Sequence, residues 1–113
     1  MKKIVDVLGE NGFVFKSLVK VEPSSLRSRQ KVKIFSAVDE KSFYNAIFIL
    51  NNKSRFLRGS AIKLMELEER LEIAYKHSYR VKILLISSPV CSLAKKFLKE
   101  NRWKIVEVQN GIV

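Results

Sequence analysis

The order of apolar and polar side chains predicts a short helix and three strands in the first half of the chain. Apolar residues recur at helical spacing within residues 4–11, and Gly12 suits the position that follows a helix. Alternating polar and apolar side chains predict strands over Val14–Val21 and Lys31–Val38. Phe43–Leu50 is the most apolar segment and is rich in β-forming residues, which is typical of a strand covered on both faces.

A short polar segment, Asp39–Ser42, separates the second strand from the third. Strands joined in this way are expected to pair as an antiparallel hairpin. A regular hairpin would set Asp39 at one end of the third strand and Lys53 beyond the other end. About eight residues at ~3.3 Å each would then separate the two, unless the second strand is bulged or bent.

The second half of the chain alternates helices and strands. Ser60 is predicted to cap a helix that runs to about Ser78. The buried stripe of this helix is predicted to consist of Leu64, Leu67, Leu71 and Ala74. The elements predicted after it are an apolar strand, a helix and a last strand, over Val81–Ile86, Ser92–Asn101 and Trp103–Val108.

The complete order of elements predicts the fold class. Strands that alternate with helices favour parallel pairing with right-handed crossovers, whereas the first three strands favour an antiparallel meander. We therefore predict an α/β protein of order α-βββ-α-β-α-β, with a mixed central sheet flanked by helices. A length of 113 residues suits a single domain over residues 1–113.

The charge of the chain indicates a polyanionic partner. There are 22 Lys and Arg against 11 Asp and Glu, a net charge of +11, while 47% hydrophobic residues are too many for a disordered basic tail. The excess is concentrated in residues 14–58 and 81–104. A field of one sign over one face attracts polyanions. Nucleic acid is the favoured partner, and an acidic protein, a membrane surface or no polyanion at all remain as alternatives.

Several classes of protein are excluded by composition. A single cysteine, Cys91, and a single histidine, His77, cannot build a disulfide scaffold, a zinc finger or the usual kind of Cys/His protease. The longest apolar runs fall far short of the ~20 residues that span a bilayer, and the N-terminus lacks the features of a signal peptide. We therefore expect a cytoplasmic protein without a membrane partner.

An acid, Asp39, ends the second strand, and a lysine, Lys53, follows the third. With these two residues and this order of elements, the chain resembles the PD-(D/E)XK superfamily of restriction-endonuclease-like and Holliday-junction-resolvase-like nucleases. In that family an Asp and a Glu hold Mg²⁺, and a Lys two residues after the Glu orients the attacking water. The resemblance assigns these roles to Asp39 and Lys53. The position of the Glu is occupied by Asn51, and an amide is a weaker Mg²⁺ ligand than a carboxylate.

Two interpretations follow from this resemblance. In one, the missing carboxylate has moved to the following helix, as in some family members. Asp39 and Glu66 then hold Mg²⁺ beside Lys53 in a DNA endonuclease, with Glu10 as an optional auxiliary acid. In the other, which we favour, catalysis is impaired or lost and the fold survives as a nucleic-acid-binding platform without a cofactor. A third hypothesis, independent of both, is a small basic assembly subunit that binds an acidic protein.

Two basic clusters are the predicted contacts to nucleic acid, most simply DNA. They consist of Arg27, Arg29, Lys31 and Lys33 and of Lys53, Arg55 and Arg58. Arginine forks match phosphate oxygens, so backbone contact is the favoured role of these side chains. A homodimer is expected by analogy with the family, because one small domain has little surface with which to span both strands.

Overall fold

The computed structural model describes residues 4–22, 26, 32–51 and 54–108. Its helices are α1 (Ile4–Glu10), α2 (Arg58–Tyr75) and α3 (Ser92–Glu100). Its strands are β1 (Phe15–Val21), β2 (Lys33–Asp39), β3 (Tyr44–Leu50), β4 (Val81–Ile86) and β5 (Trp103–Glu107). The predicted order α-βββ-α-β-α-β is confirmed. Gly12, predicted to follow the first helix, has a φ of +80°, a left-handed conformation that glycine adopts without strain.

The five strands form one mixed sheet in the order β1-β2-β3-β4-β5. The first three pair antiparallel, and β4 and β5 continue the sheet parallel to β3. The directions follow from the connections. The short turn after Asp39 reverses the chain, whereas α2 and α3 carry it back across the sheet before the next strand starts. The predicted mixed sheet flanked by helices is therefore confirmed.

The helices cover the two faces of the sheet unequally. α2 and α3 bury one face, in a cluster that includes Phe48, Leu84 and Trp103. α1 packs on the other face, which we call the α1 face, in a smaller cluster that includes Ile47 and Ile83. β3 lies in the middle and is buried on both faces, as its continuous apolar sequence predicted. Trp103 is 3% exposed and packs against Phe48, with ring centroids 5.3 Å apart.

The start of α2 differs from the prediction. The helix begins at Arg58 after Leu57, whose side chain makes no capping hydrogen bond. Ser60 is therefore inside the first turn and does not occupy the N-cap position. The backbone just before this start is held by a tertiary contact, since the N–H of Phe56 donates to the Pro89 carbonyl at 2.8 Å. The Arg58 guanidinium lies 5.4 Å from the centre of the Phe97 ring on α3.

The buried face of α2 also differs from the predicted stripe. Ala74 is exposed, whereas Ala61 and Glu68 are buried together with the three predicted leucines. Ala74 lies in the last turn, where Ile73 and Tyr75 are exposed as well. Since Ala74 lies one turn after the buried Leu71, its exposure shows that this end of the helix projects beyond the covered part of the sheet.

The N-cap of α3 is a cysteine. Cys91 caps α3, since its Sγ accepts a hydrogen bond from the backbone N–H of Ala94 at 3.3 Å, and this is a structural role. Leu26 is buried in the core. In the described ranges, no helix combines the length and apolarity that crossing a bilayer requires.

Candidate nucleic-acid interface

Asp39 closes the turn between β2 and β3. One of its carboxylate oxygens accepts hydrogen bonds from the backbone N–H groups of Lys41 at 2.9 Å and Phe43 at 3.0 Å. The other accepts one from the side-chain amide of Asn45 at 3.3 Å. The backbone N–H of Phe43, followed by the Asn45 amide, holds the pKa of the Asp39 carboxyl below its usual value. This carboxylate is therefore engaged in shaping the hairpin.

The register of the hairpin separates Asp39 from Asn51. Val38 pairs with Tyr44 at one end of β3, and Lys33 pairs with Ile49 near the other. The backbone N–H of Asp39 bonds to the carbonyl of Phe43, and Asn51 follows the last residue of β3. The eight residues from Phe43 to Asn51 correspond to about 26 Å of extended chain. The structure therefore places Asp39 and Asn51 at opposite ends of the sheet. Lys53 lies outside the described residues.

Asp39 and Glu66 lie on opposite sides of the sheet. Asp39 lines a cavity on the α1 face together with Phe15 and Lys104. Glu66 is an exposed residue of α2, which packs on the other face. The sheet stands between the two carboxylates, so the predicted Mg²⁺ pair is not brought together. Glu10, the predicted auxiliary acid, is the exposed last residue of α1.

The cavity beside Asp39 is open and has a volume of about 430 Å³. Lys104 lies at this cavity, with its Nζ 5.3 Å from the centre of the Phe13 ring. Its lining comes from the α1–β1 link, the hairpin turn and residues of β1, β3, β4 and β5, which are distant in the sequence. No local pattern could have predicted it.

The opposite end of the sheet is where the resemblance places the metal-binding motif. Here the Oδ1 of Asn51 accepts a hydrogen bond from the Ser87 hydroxyl at 2.8 Å, and the Ser87 N–H bonds to the Leu50 carbonyl. The residue at which β2 begins on this side is Lys33, which is exposed. A lysine and a neutral amide do not fit a magnesium ion, which prefers carboxylate oxygens. Across the described ranges, no group of three or more His, Cys, Asp or Glu side chains is arranged to hold a metal ion.

Cationic side chains occur at this same end. Lys33, Arg55 and Arg58 are all exposed, and we call these residues at one end of the sheet the basic end patch. Lys33 is on the α1 face, whereas Arg58 lies beside Phe97 of α3, on the other side of the sheet. Lys20 is on the same face as Lys33, since it pairs with Phe35 on the neighbouring strand, and it forms an ion pair with Glu22 at 3.7 Å. The other predicted nucleic-acid contacts, namely Arg27, Arg29, Lys31 and Lys53, lie outside the described residues.

Glu68 is a buried acid that the sequence analysis missed. It is 2% exposed, and one of its oxygens lies 3.4 Å from the Lys82 Nζ, which also approaches Glu72 at 3.9 Å. Burial raises the pKa of the Glu68 carboxyl to about 8, and the hydrogen bond to Glu72 contributes to the shift. The helical spacing of Glu68 could have predicted its burial, because it follows Leu64 by four residues and precedes Leu71 by three on the apolar stripe.

Comparison with solved structures identifies the fold. The structure of EndoMS in apo form superposes with a TM-score of 0.58 at 15% sequence identity, covering 92% of this chain and 44% of that one. This chain has an endonuclease fold. A repair endonuclease from Pyrococcus abyssi gives a TM-score of 0.53 at 13% identity, covering 83% of this chain and 39% of the other. EndoMS in complex with double-stranded DNA gives a TM-score of 0.53 at 13% sequence identity, covering 92% of this chain and 42% of the other.

The endonuclease fold of this chain is shown by structure alone. No protein-family model and no curated protein matches the sequence. The chain spans about two fifths of the length of the endonucleases with which it superposes. The fold agrees with the restriction-endonuclease-like architecture that the resemblance implied.

Proposed function

We propose that this chain binds nucleic acid, DNA in the first instance, through an endonuclease fold whose hydrolytic site is impaired or inactive. The observation that carries the proposal is the pair of residues at the motif end of the sheet, where Lys33 is exposed and Asn51 takes the place of the family's Glu. A superposed relative, EndoMS, was solved in complex with double-stranded DNA. The net charge of +11 supports a polyanionic partner such as nucleic acid.

The chemistry of the donor set argues against hydrolysis. Metal-assisted cleavage of a phosphodiester requires a cation that polarises the phosphate and lowers the pKa of the attacking water. Lys33 would repel such a cation, and the Asp39 carboxylate is bound to the turn at the other end of the sheet. These residues therefore do not fit a Mg²⁺-dependent hydrolytic site.

The basic end patch is suited to the sugar–phosphate backbone. Arg55 and Arg58 present guanidinium groups that match two phosphate oxygens at once, and Lys33 adds a third exposed charge. Contacts of this kind position a nucleic acid without selecting its sequence. The expected binding is therefore salt-dependent and led by the shape and charge of the partner.

The first experiment measures the affinity for a fluorescent duplex of about 20 base pairs as salt is raised from about 50 to 200 mM. Arg55→Glu/Arg58→Glu should weaken binding and reduce the salt slope by about two, the number of phosphate contacts removed. Lys16→Glu/Lys41→Glu, at the opposite end of the sheet, is the matched control because it changes the net charge equally. An equal loss in both variants would contradict the assignment to the basic end patch. Absence of any binding at low salt would overturn the proposal and leave the acidic-protein hypothesis.

The second experiment tests catalysis. Plasmid and branched DNA are incubated with the chain and Mg²⁺ or Mn²⁺, and we expect no cleavage. Glu66→Gln is the decisive variant, because Glu66 is exposed and its replacement does not disturb the hairpin. Metal-dependent cleavage that disappears in Glu66→Gln and in Asp39→Asn would refute the inactive site and establish the endonuclease.

A further inference from the structure

Four aromatic rings gather at the end of the sheet opposite to the basic end patch. We call Tyr44, Tyr75, His77 and Tyr79 the aromatic platform. The Tyr44 and His77 rings stack with centroids 3.8 Å apart at 20°. Tyr79 and Tyr75 meet His77 edge to face, with centroids 4.8 Å and 6.2 Å away. Tyr44 is 42% exposed and Tyr75 is 40% exposed, so the platform presents aromatic surface to solvent.

The platform is anchored from below by buried contacts. Tyr79 is 4% exposed, and its hydroxyl shares a hydrogen bond of 2.8 Å with the hydroxyl of Ser36 on β2. The backbone N–H of Arg80 donates to the Tyr44 carbonyl at 2.9 Å. These bonds fix the α2–β4 connection against the start of β3. The rings are therefore already arranged before any ligand arrives, which reduces the entropic cost of binding.

Cations flank the exposed rings. Arg80 is exposed, and its guanidinium lies 4.0 Å from the centre of the neighbouring Phe43 ring. Lys76 is exposed at the end of α2, directly after Tyr75. The nearest acid on α2, Glu72, lies 3.9 Å from the Lys82 Nζ, so part of its charge is compensated. Glu40, on the hairpin turn, is an exposed acid at the same end of the sheet.

We propose that the aromatic platform stacks the bases of single-stranded nucleic acid, with Arg80 and Lys76 at its phosphates. Exposed aromatic rings beside cations are the combination that binds single strands, because every base offers a ring face and every nucleotide a charge. A duplex hides its base faces and would remain at the basic end patch. The inference rests on the proposed nucleic-acid binding and adds a second site. The aromatic platform and the basic end patch are at opposite ends of the sheet, and the roughly six strand residues between them span about 20 Å.

The experiment compares two labelled probes of equal charge, a single-stranded dT oligonucleotide of about 12 nucleotides and an abasic strand of the same length. The wild-type chain should prefer the dT strand. Tyr44→Leu/Tyr75→Leu should lower its affinity for the dT strand by about tenfold and leave the affinity for the abasic strand unchanged, because only stacking is removed. Tyr75→Leu alone, at an exposed helix end, keeps the test valid if the double variant does not fold.

A control variant separates stacking from other effects. Leu93→Ala removes an apolar side chain that is 63% exposed on α3, outside the aromatic platform. It should keep the preference for the dT strand. Equal affinity of the wild-type chain for both probes, or an unchanged preference in the Tyr variants, would overturn the inference while duplex binding stands. Absence of binding to the duplex and to both strands would overturn the proposed function and this inference together.

Discussion

At the scale of single residues, two carboxylates respond to their surroundings in opposite directions. Asp39 is bound by backbone N–H groups of its turn, which favour the charged form and lower its pKa. Glu68 lies in the core beneath α2, where removal from water favours the neutral form and raises its pKa to about 8. The carboxylate that the resemblance assigned to a metal therefore shapes a turn, whereas the acid with the raised pKa lies on the buried side of α2.

Glu68 makes the stability of the fold depend on pH. Its pKa is raised from 4.5 in the unfolded chain to about 8 in the folded one, so the folded state holds more protons between these values. The contribution is fully present below about pH 4.5 and is lost as the pH rises through about 8. Glu68→Gln should melt like the wild type at about pH 5 and higher than it at about pH 9, by roughly 5 °C.

Glu69→Gln is the matched control for this measurement. Glu69 is the exposed neighbour of Glu68 on α2, and its replacement makes the same change of side chain. Thermal melts followed by circular dichroism across this pH range should give the wild-type profile for Glu69→Gln. Parallel profiles for the wild type and Glu68→Gln would show that the buried carboxyl does not titrate with a raised pKa.

At the scale of elements, α2 shows how far a local pattern reaches. The apolar spacing predicted a helix with Leu64, Leu67 and Leu71 on its buried side, and the structure confirms this part. A serine near the start of the apolar pattern predicted the N-cap, yet the helix begins two residues before Ser60. The contact of Arg58 with Phe97 depends on the packing of α3, which no pattern within α2 contains.

The boundary of α2 can be tested by two substitutions. Ser60→Ala should leave stability unchanged or raise it slightly, because alanine is the better helix former inside a helix. Leu57→Asp should stabilise the fold by about 1 kcal/mol, because it supplies the missing cap and a negative charge at the helix N-terminus. Denaturant unfolding measures both. A loss of about 1 kcal/mol in Ser60→Ala would place the cap at Ser60 instead.

At the scale of the whole molecule, the sheet separates two surfaces that differ in chemistry. The basic end patch has exposed cations beside an amide, whereas the aromatic platform at the other end has exposed rings with cations around them. A chain with a net charge of +11 attracts polyanions in general. The basic end patch is the surface proposed to bind duplex, and the aromatic platform is the one proposed to bind single strands. The predicted homodimer and single-domain organisation remain predictions.

The order of the elements, the directions of the strands and most of the core could be predicted from the amino-acid sequence alone. These features follow from local periodicity and from the lengths of the connections, because both are local properties of the sequence. Which polar groups lie close together depends instead on how the strands and helices pack. Asp39 and Asn51 are separated by the register of one hairpin, and Asp39 and Glu66 by the sheet itself. The distance between such side chains depends on long-range strand pairing and on which face of the sheet each helix covers. Neither can be predicted from the local pattern of a single segment.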